Sequence, residues 1–204
     1  DLFKESTINR ILENYIITLN SILNSSVSKI SNIDVLSNDE KNKVLFDFNN
    51  TNMDYDKNTT IAKLFENQVI KTPNKIAITF ENTSLTYNEL NEKANQLAHF
   101  IRNKNITRND VIGIMTTRSL ELIISILAAF KCGCCYIPID PSFPDERISY
   151  MLENSNSKIL LTSKSTFNKL DFSSKLLINL EDENIFSGNS FNLNNINLPD
   201  DNSY

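Results

Sequence analysis

Glycine is scarce in this chain. There are 3 in 204 residues, where ordinary usage near ~7% would give roughly fourteen. They are Gly113, Gly133 and Gly188, and no two share a loop-length stretch. A GxGxxG loop and a GxxxxGK loop are therefore both excluded, and with them a glycine-rich phosphate cradle. Histidine is limited to His99. That excludes any site needing two His ligands and leaves a His-based triad a single candidate. Basic charge is also short, with 20 Lys and Arg against 25 Asp and Glu, a net charge of −5 and a pI of about 5.0. Nothing here attracts a phosphate backbone, and no polybasic block suggests an anionic membrane surface. Long apolar runs are missing too. The most apolar stretch, Leu120 to Phe130, is interrupted by Glu121 and is too short to span a bilayer. The opening Asp1-Leu2-Phe3-Lys4-Glu5 carries no positive segment followed by an apolar one, so the reading is of a soluble, cytoplasmic chain without a secretory signal.

What is present is ordinary globular composition, 40% hydrophobic and 22% charged. The length fits one domain, or one domain with an appendage. Ile8, Ile11, Leu12, Tyr15, Ile16, Leu19, Ile22 and Leu23 recur at helical spacing, so residues 7–26 read as a helix ended by Ser25, Ser26 and Ser28. Ser37-Asn38-Asp39-Glu40 reads as a capping box opening a second helix, with Val44, Leu45 and Phe48 on its apolar side. Asn49 to Asn58 is polar, non-periodic and rich in turn formers, hence a linker. Thr60 caps a third helix, expected to bury Ile61, Leu64, Phe65, Val69 and Ile70 and to stop at Pro73. Ile76 to Phe80 is a strand, Asn82-Thr83 its turn, and Ser84 to Thr86 a return strand. Thr86-Tyr87-Asn88-Glu89 is another capping box. It opens a helix to about Lys104 with Leu90, Ala94, Leu97, Ala98 and Ile101 inward. Strands near 111–115, 136–139, 158–162 and 175–180 then alternate with helices over 120–131 and 144–154. That order argues βαβ units and a largely parallel sheet. Asn189 to Asn197 reads as an Asn-rich surface loop.

Three groups of residues are candidates for chemistry, and each has a plainer reading. His99 falls beside Asn88, Glu92 and Asn95 on the polar side of its helix and reads as a solvated surface side chain. Cys132, Cys134 and Cys135 form a C-x-C-C cluster. A metal site wants four ligands, usually two to four residues apart, and no further Cys or nearby His completes a set. Small-residue packing is the favoured reading, with a reactive thiol as the alternative. Asp140, Asp145 and Glu146 lie near a strand C-terminus, where α/β ligands collect. They fit equally the first turn of a helix, where negative charge stabilises the macrodipole. Composition and periodicity thus yield an α/β domain with a helical appendage and no complete active site.

From Thr60 onward the sequence resembles the adenylation domains of nonribosomal peptide synthetases, members of the superfamily that also holds acyl-CoA synthetases and luciferases. The resemblance rests on Thr60-Ile61-Ala62-Lys63-Leu64-Phe65-Glu66-Asn67-Gln68, on Lys71-Thr72-Pro73, and on Leu85-Thr86-Tyr87-Asn88-Glu89-Leu90 through Leu97-Ala98. It continues with Arg118-Ser119-Leu120-Glu121, then Phe130-Lys131-Cys132-Gly133-Cys134-Cys135-Tyr136-Ile137-Pro138-Ile139-Asp140-Pro141, and Tyr150-Met151-Leu152-Glu153. Cys132 and Cys135 stand where that family usually has Ala, which agrees with the packing reading. The first helices and Phe48-Asn49-Asn50-Thr51 look like the tail of a condensation domain and the linker that follows it. Trp is more usual than Phe48 there, and Pro more usual than Asp56.

The resemblance implies residues 1–48 as the helical tail of a condensation domain, 49–59 as a linker, and 60–204 as the N-terminal part of an AMP-binding adenylation domain. The fold class implied is α/β, a partial N-terminal subdomain of an adenylate-forming enzyme with a mostly parallel sheet. The family's Ser/Thr/Gly-rich phosphate loop is expected just beyond Asn197-Leu198-Pro199-Asp200-Asp201 and Tyr204. The implied parent activity turns an amino acid and MgATP into aminoacyl-adenylate and pyrophosphate, then passes the acyl group to the phosphopantetheine thiol of a carrier domain. The implied partners are the condensation and carrier domains of that synthetase, with no nucleic acid and no membrane. None of the matched positions is a catalytic, cofactor-binding or metal-ligating one, so the chain by itself is expected to be inactive. The alternatives are a fragment of an acyl- or aryl-CoA ligase, and a non-catalytic docking remnant held by the helices of residues 7–26 and 38–48.

Overall fold

In the computed structural model the described residues are 2–24, 29–164 and 176–204. The chain divides into two compact units, Asp1–Tyr55 and Asp56–Tyr204. The first unit opens with α1, Glu5–Asn24. The serines expected to end this helix lie outside the described residues. Its apolar stripe is helical as expected but faces outward: Ile11, Leu12, Tyr15, Ile16 and Ile22 are all at least half exposed. A helix of this length is marginal unless its apolar face is packed. The α2 helix, Asn38–Asn42, begins where Ser37 Oγ accepts from the Glu40 N–H at 3.2 Å. It widens into a π-helical turn over Lys43–Asp47, which the Asn49 side-chain amide closes by donating to the carbonyls of Val44 and Leu45. Only one half of the expected capping box forms, and the Glu40 carboxylate instead faces Arg10 at 3.7 Å.

The second unit begins with α3, Ile61–Lys71, capped by Thr60, whose hydroxyl accepts from the Lys63 N–H at 3.3 Å. The buried face of α3 is Ala62 and Val69, with Phe65 half-buried; Ile61, Leu64 and Ile70, expected inside, are exposed. The strands β1, Ile76–Phe80, and β2, Thr83–Thr86, form an antiparallel hairpin. Its turn falls one residue earlier than expected, on Glu81-Asn82, with Glu81 in the left-handed region at φ 51°. The α4 helix, Tyr87–Arg102, carries a complete capping box, in which Thr86 and Glu89 each satisfy the other's backbone N–H. Leu90, Ala94, Leu97, Ala98 and Ile101 are all buried, as the spacing predicts.

Four parallel strands follow: β3, Val111–Met115; β4, Cys135–Ile139; β5, Ile159–Thr162; and β6, Leu176–Asn179. They lie in the order β4-β3-β5-β6. The expected start of β6 at Lys175 lies outside the described residues. The helix α5, Leu120–Cys132, connects β3 to β4, and α6, Asp145–Asn154, connects β4 to β5. Both faces of the sheet are covered, as parallel sheets require. Alternation along β3 explains the two layers. Ile112 and Ile114 pack with α4 and α5, together with Ile159 and Leu161. Met115 and Leu160 pack with Ile148 and Leu152 of α6. Gly113 faces that second layer, where an added Cβ would meet Leu160 at 2.9 Å and Leu152 at 3.0 Å. Lacking a side chain, it lets α6 sit close to the strand. Each fully buried Leu or Ile here contributes roughly 1.5–3 kcal/mol through removal from water.

Candidate functional site

In open α/β sheets ligands collect beyond the strand C-termini. There, β3 runs into Thr116-Thr117-Arg118-Ser119 and β4 into Asp140-Pro141. Between them lies a cleft of ≈480 Å³ with Ile114, Leu122, Pro138 and Phe143 as apolar walls and Arg118 as its cation. A second cleft of ≈360 Å³ shares Arg118 and Leu122 and is bounded by Ile78, Phe80 and Ile123. Ser119 caps α5, its hydroxyl accepting from the Leu122 N–H at 3.4 Å. The Asp140 carboxylate is engaged locally: it accepts from the Ser142 N–H at 2.8 Å, and that bond holds its pKa below the ordinary carboxylate value. Asp145 and Glu146 occupy the exposed first turn of α6, the macrodipole position. The clefts thus set the Arg118 guanidinium, the Asp140 carboxylate and the hydroxyls of Thr116, Thr117 and Ser119 against apolar walls. No group of three His, Cys, Asp or Glu side chains able to hold a metal occurs among the described residues.

The cysteines are packing residues. Cys132, Cys134 and Cys135 are all buried and free. Cys132 Sγ donates to the Ala98 carbonyl at 3.2 Å, and Cys134 Sγ to that of Thr107 at 3.6 Å. Burial raises the Cys132 thiol well above its ordinary pKa and pushes Cys134 up to about 12. A reactive thiolate needs the opposite shift.

The glycines do not make a phosphate cradle. Gly133 ends α5 in the left-handed region at φ 81°, and a Cβ there would meet Ile196 at 2.7 Å. Gly113 is packed against α6. Gly113 and Gly133 are thus taken up by packing and by a helix end, and neither offers a phosphate-binding loop.

The most elaborate polar constellation lies elsewhere, and sequence reasoning missed it. Residues 189–197, expected as a surface loop, have no helix or strand and are mostly exposed, but they and the rest of 187–204 are fastened across α4 and α5. Asn95, placed by periodicity on the polar side of α4, is fully buried, and its amide donates to the Ser190 carbonyl at 2.7 Å and to Asn192 Oδ1 at 2.9 Å. His99, expected to be solvated, is half-buried with Nε2 3.0 Å from the Phe191 carbonyl. Arg102 bonds the carbonyls of Lys131, 2.9 Å, and Asn194, 3.0 Å. Lys131 is 4% exposed, and its ammonium reaches Glu66 Oε1 at 2.7 Å and Asn192 Oδ1 at 3.4 Å. Burial pulls the Lys131 pKa down, and Glu66 opposes that. The Asn197 amide satisfies the Phe130 carbonyl at the open end of α5. Arg108 grips Asp201 with Nε at 2.8 Å from Oδ2, and the Tyr136 N–H on the edge of β4 donates to the Ser203 carbonyl at 3.1 Å. The available signal was the unusual density of Asn at 189–197, together with Asn91 and Asn95 flanking an otherwise apolar stripe.

Comparison with known proteins places these features. A family described as AMP-binding enzyme matches residues 65–192. Gramicidin S synthase 2 of Brevibacillus brevis is 43% identical over 203 residues, covering 100% of this chain and 4% of that protein. Bacitracin synthase 2 of Bacillus licheniformis is 39% identical over 204 residues, covering 100% of this chain and 8% of that protein. The chain therefore spans well under a tenth of these relatives. Among solved structures, the nonribosomal peptide synthetase FmoA3 superposes with a TM-score of 0.75 over 99% of this chain and 22% of its own, at 19% identity. At that identity the likeness speaks for the fold.

Proposed function

The chain belongs to the AMP-binding enzyme family, and from that premise we propose that it forms the N-terminal part of an adenylation domain in a nonribosomal peptide synthetase. The parent activates an amino acid with ATP and magnesium as aminoacyl-adenylate and loads it on a carrier-domain phosphopantetheine. Within that enzyme residues 60–204 serve as scaffold: a four-stranded parallel sheet with a helix layer on each face. Residues 1–48 are the helical tail of a condensation domain and 49–59 the linker, so the immediate partners are the synthetase's own domains. The parent works in the cytoplasm; among the described residues no helix is long and apolar enough to cross a membrane.

The observation that carries this reading is the extent of the match. The likeness to gramicidin S synthase 2 covers the whole chain, including the residues ahead of the AMP-binding segment. A free-standing acyl-CoA ligase leaves those first residues unexplained. The scaffold role follows from the chemistry of the clefts. Phosphoryl charge developing in adenylation needs several aligned donors or a metal, and the clefts among the described residues hold a single cation, Arg118.

The test is amino-acid-dependent ATP–pyrophosphate exchange, run on the 204-residue chain and on the product of the uninterrupted reading frame that contains it. Exchange by the longer product with one of the amino acids, and none above a no-protein control by the chain alone, is the expected result. Exchange by the chain alone would overturn the scaffold role. A longer product that consumes acyl or aryl acids only with coenzyme A would replace the peptide-synthetase reading, and a frame that ends at Tyr204 would favour the docking remnant.

A further inference from the structure

The segment 187–204 has little apolar anchorage. Of its described side chains only Leu193 is buried, while Phe191, Ile196 and Leu198 are exposed. Its place on the fold rests mainly on directional bonds. Three of those bonds converge on one atom. Asn192 Oδ1 accepts from Asn91 Nδ2 at 3.0 Å, from Asn95 Nδ2 at 2.9 Å and from Lys131 Nζ at 3.4 Å. Lys131 in turn reaches Glu66 on α3 at 2.7 Å. We propose that the buried Lys131 and the surface residue Asn192 form a polar clasp that sets the register of residues 187–204 on α4 and α5, which makes Lys131 a positioning residue for that segment.

The Lys131 side chain is 1% exposed, and the cavity beside it, between Glu66 and Asn195, measures ≈10 Å³. That is room for about one water, so the ammonium serves the protein and not a substrate. A buried ammonium that loses a partner is strongly destabilising, so Lys131 holds both of its acceptors in place. The bonds also fix the register. A slip of one residue would bring Phe191 or Leu193 opposite Asn91, Asn95 and Lys131. Three buried donors would then face hydrocarbon, each losing a bond it cannot replace with water. Apolar contacts alone would tolerate such a slip. The same slip would carry Asp201 away from Arg108 and the Ser203 carbonyl away from Tyr136 at the sheet edge, so the clasp acts on the far end of the segment too. The inference rests on this geometry and does not depend on the enzymatic reading.

Amide hydrogen exchange on the full 204-residue chain tests it, with Lys131→Met, Asn192→Leu and Asn192→Asp. Lys131→Met and Asn192→Leu should speed exchange at Tyr136, at Leu198 and across 187–204 by at least about tenfold, leaving Ile114 and Leu161 in the sheet within about twofold. Asn192→Asp keeps the acceptor, and all three of its partners are donors, so it should retain the slow rates. Asn192 lies on the outer segment, so its variants do not hollow the core even where Lys131→Met fails to fold. Unchanged rates in Asn192→Leu, equal acceleration everywhere, or loosening by Asn192→Asp as large as by Asn192→Leu would overturn the clasp.

Discussion

Asp201 shows how one contact sets a side chain's chemistry. Its carboxylate takes a fork of donors from Arg108 and accepts from the Leu198 N–H at 2.7 Å, which together hold its pKa at about 2. A pKa depressed on folding means that the bond contributes at all pH above the unfolded value of roughly 4 and is lost as pH falls from there through about 2. Carboxyl NMR should show Asp201 titrating near its lowered value, with Leu198 amide protection lost over the same window; a midpoint near 4 would show that the Arg108 contact is absent in solution. The cysteines behave as apolar atoms instead. Replacing Cys132, Cys134 or Cys135 by Ala should cost about 1 kcal/mol or less at each site, since little volume changes. Urea denaturation reads that cost, and a loss several times larger would restore a structural role for the thiols. The chemistry of the cysteines was legible in the sequence, because a C-x-C-C spacing without further ligands cannot close a metal site. The role of Lys131 was not. A lysine in the last turn of a helix reads as a dipole partner, and only the approach of Glu66 and Asn192 from distant positions makes it a buried tie.

Among the elements, α4 was the most legible. Its capping box and its apolar stripe are both local patterns, and both occur as read. Thr86→Ala removes the hydroxyl that accepts from the Glu89 N–H at 3.2 Å and should lower stability by about 1 kcal/mol. Thr86→Ser should restore most of it. A thermal melt unchanged in the Ala variant would mean that packing against α5 holds the helix start by itself. The α3 helix was legible as a helix but not in its orientation. Its period allows two apolar faces, Ile61-Leu64 and Ala62-Val69, and the small side of Ala62 fits the closer approach. The segment after β6 was least legible. Polar, Asn-rich sequence ordinarily stays in water, and here its amides find partners spaced along two helices remote in sequence.

At the scale of the whole molecule, each unit shows apolar side chains to solvent. In the first, Ile11, Leu12, Tyr15 and Ile16 of α1 are more than half exposed, and in the second Leu64, Ile70 and Ile76 are too. On α1 these side chains share one helix face, and an exposed apolar stripe of that kind is uncommon on soluble monomers and marks a surface meant to be covered. The 204-residue chain should therefore bind a hydrophobic dye and self-associate, and Ile11→Lys with Tyr15→Lys should reduce both. A monodisperse monomer in gel filtration, without dye binding, would show that these faces are tolerated bare. The sequence by itself determined the alternation of strands and helices, the parallel sheet, the capped start of α4 and the lack of a glycine-rich loop. Each of these is written in local periodicity, in cap residues three apart or in composition. Tertiary structure alone decided which face of α3 is buried, where His99 and Asn95 sit, and how residues 187–204 are held. Those outcomes depend on pairs of residues some sixty to a hundred positions apart, as Lys131 with Glu66 and Asn95 with Asn192, whose meeting is set by the packing of helices on a sheet and leaves no repeat along the chain.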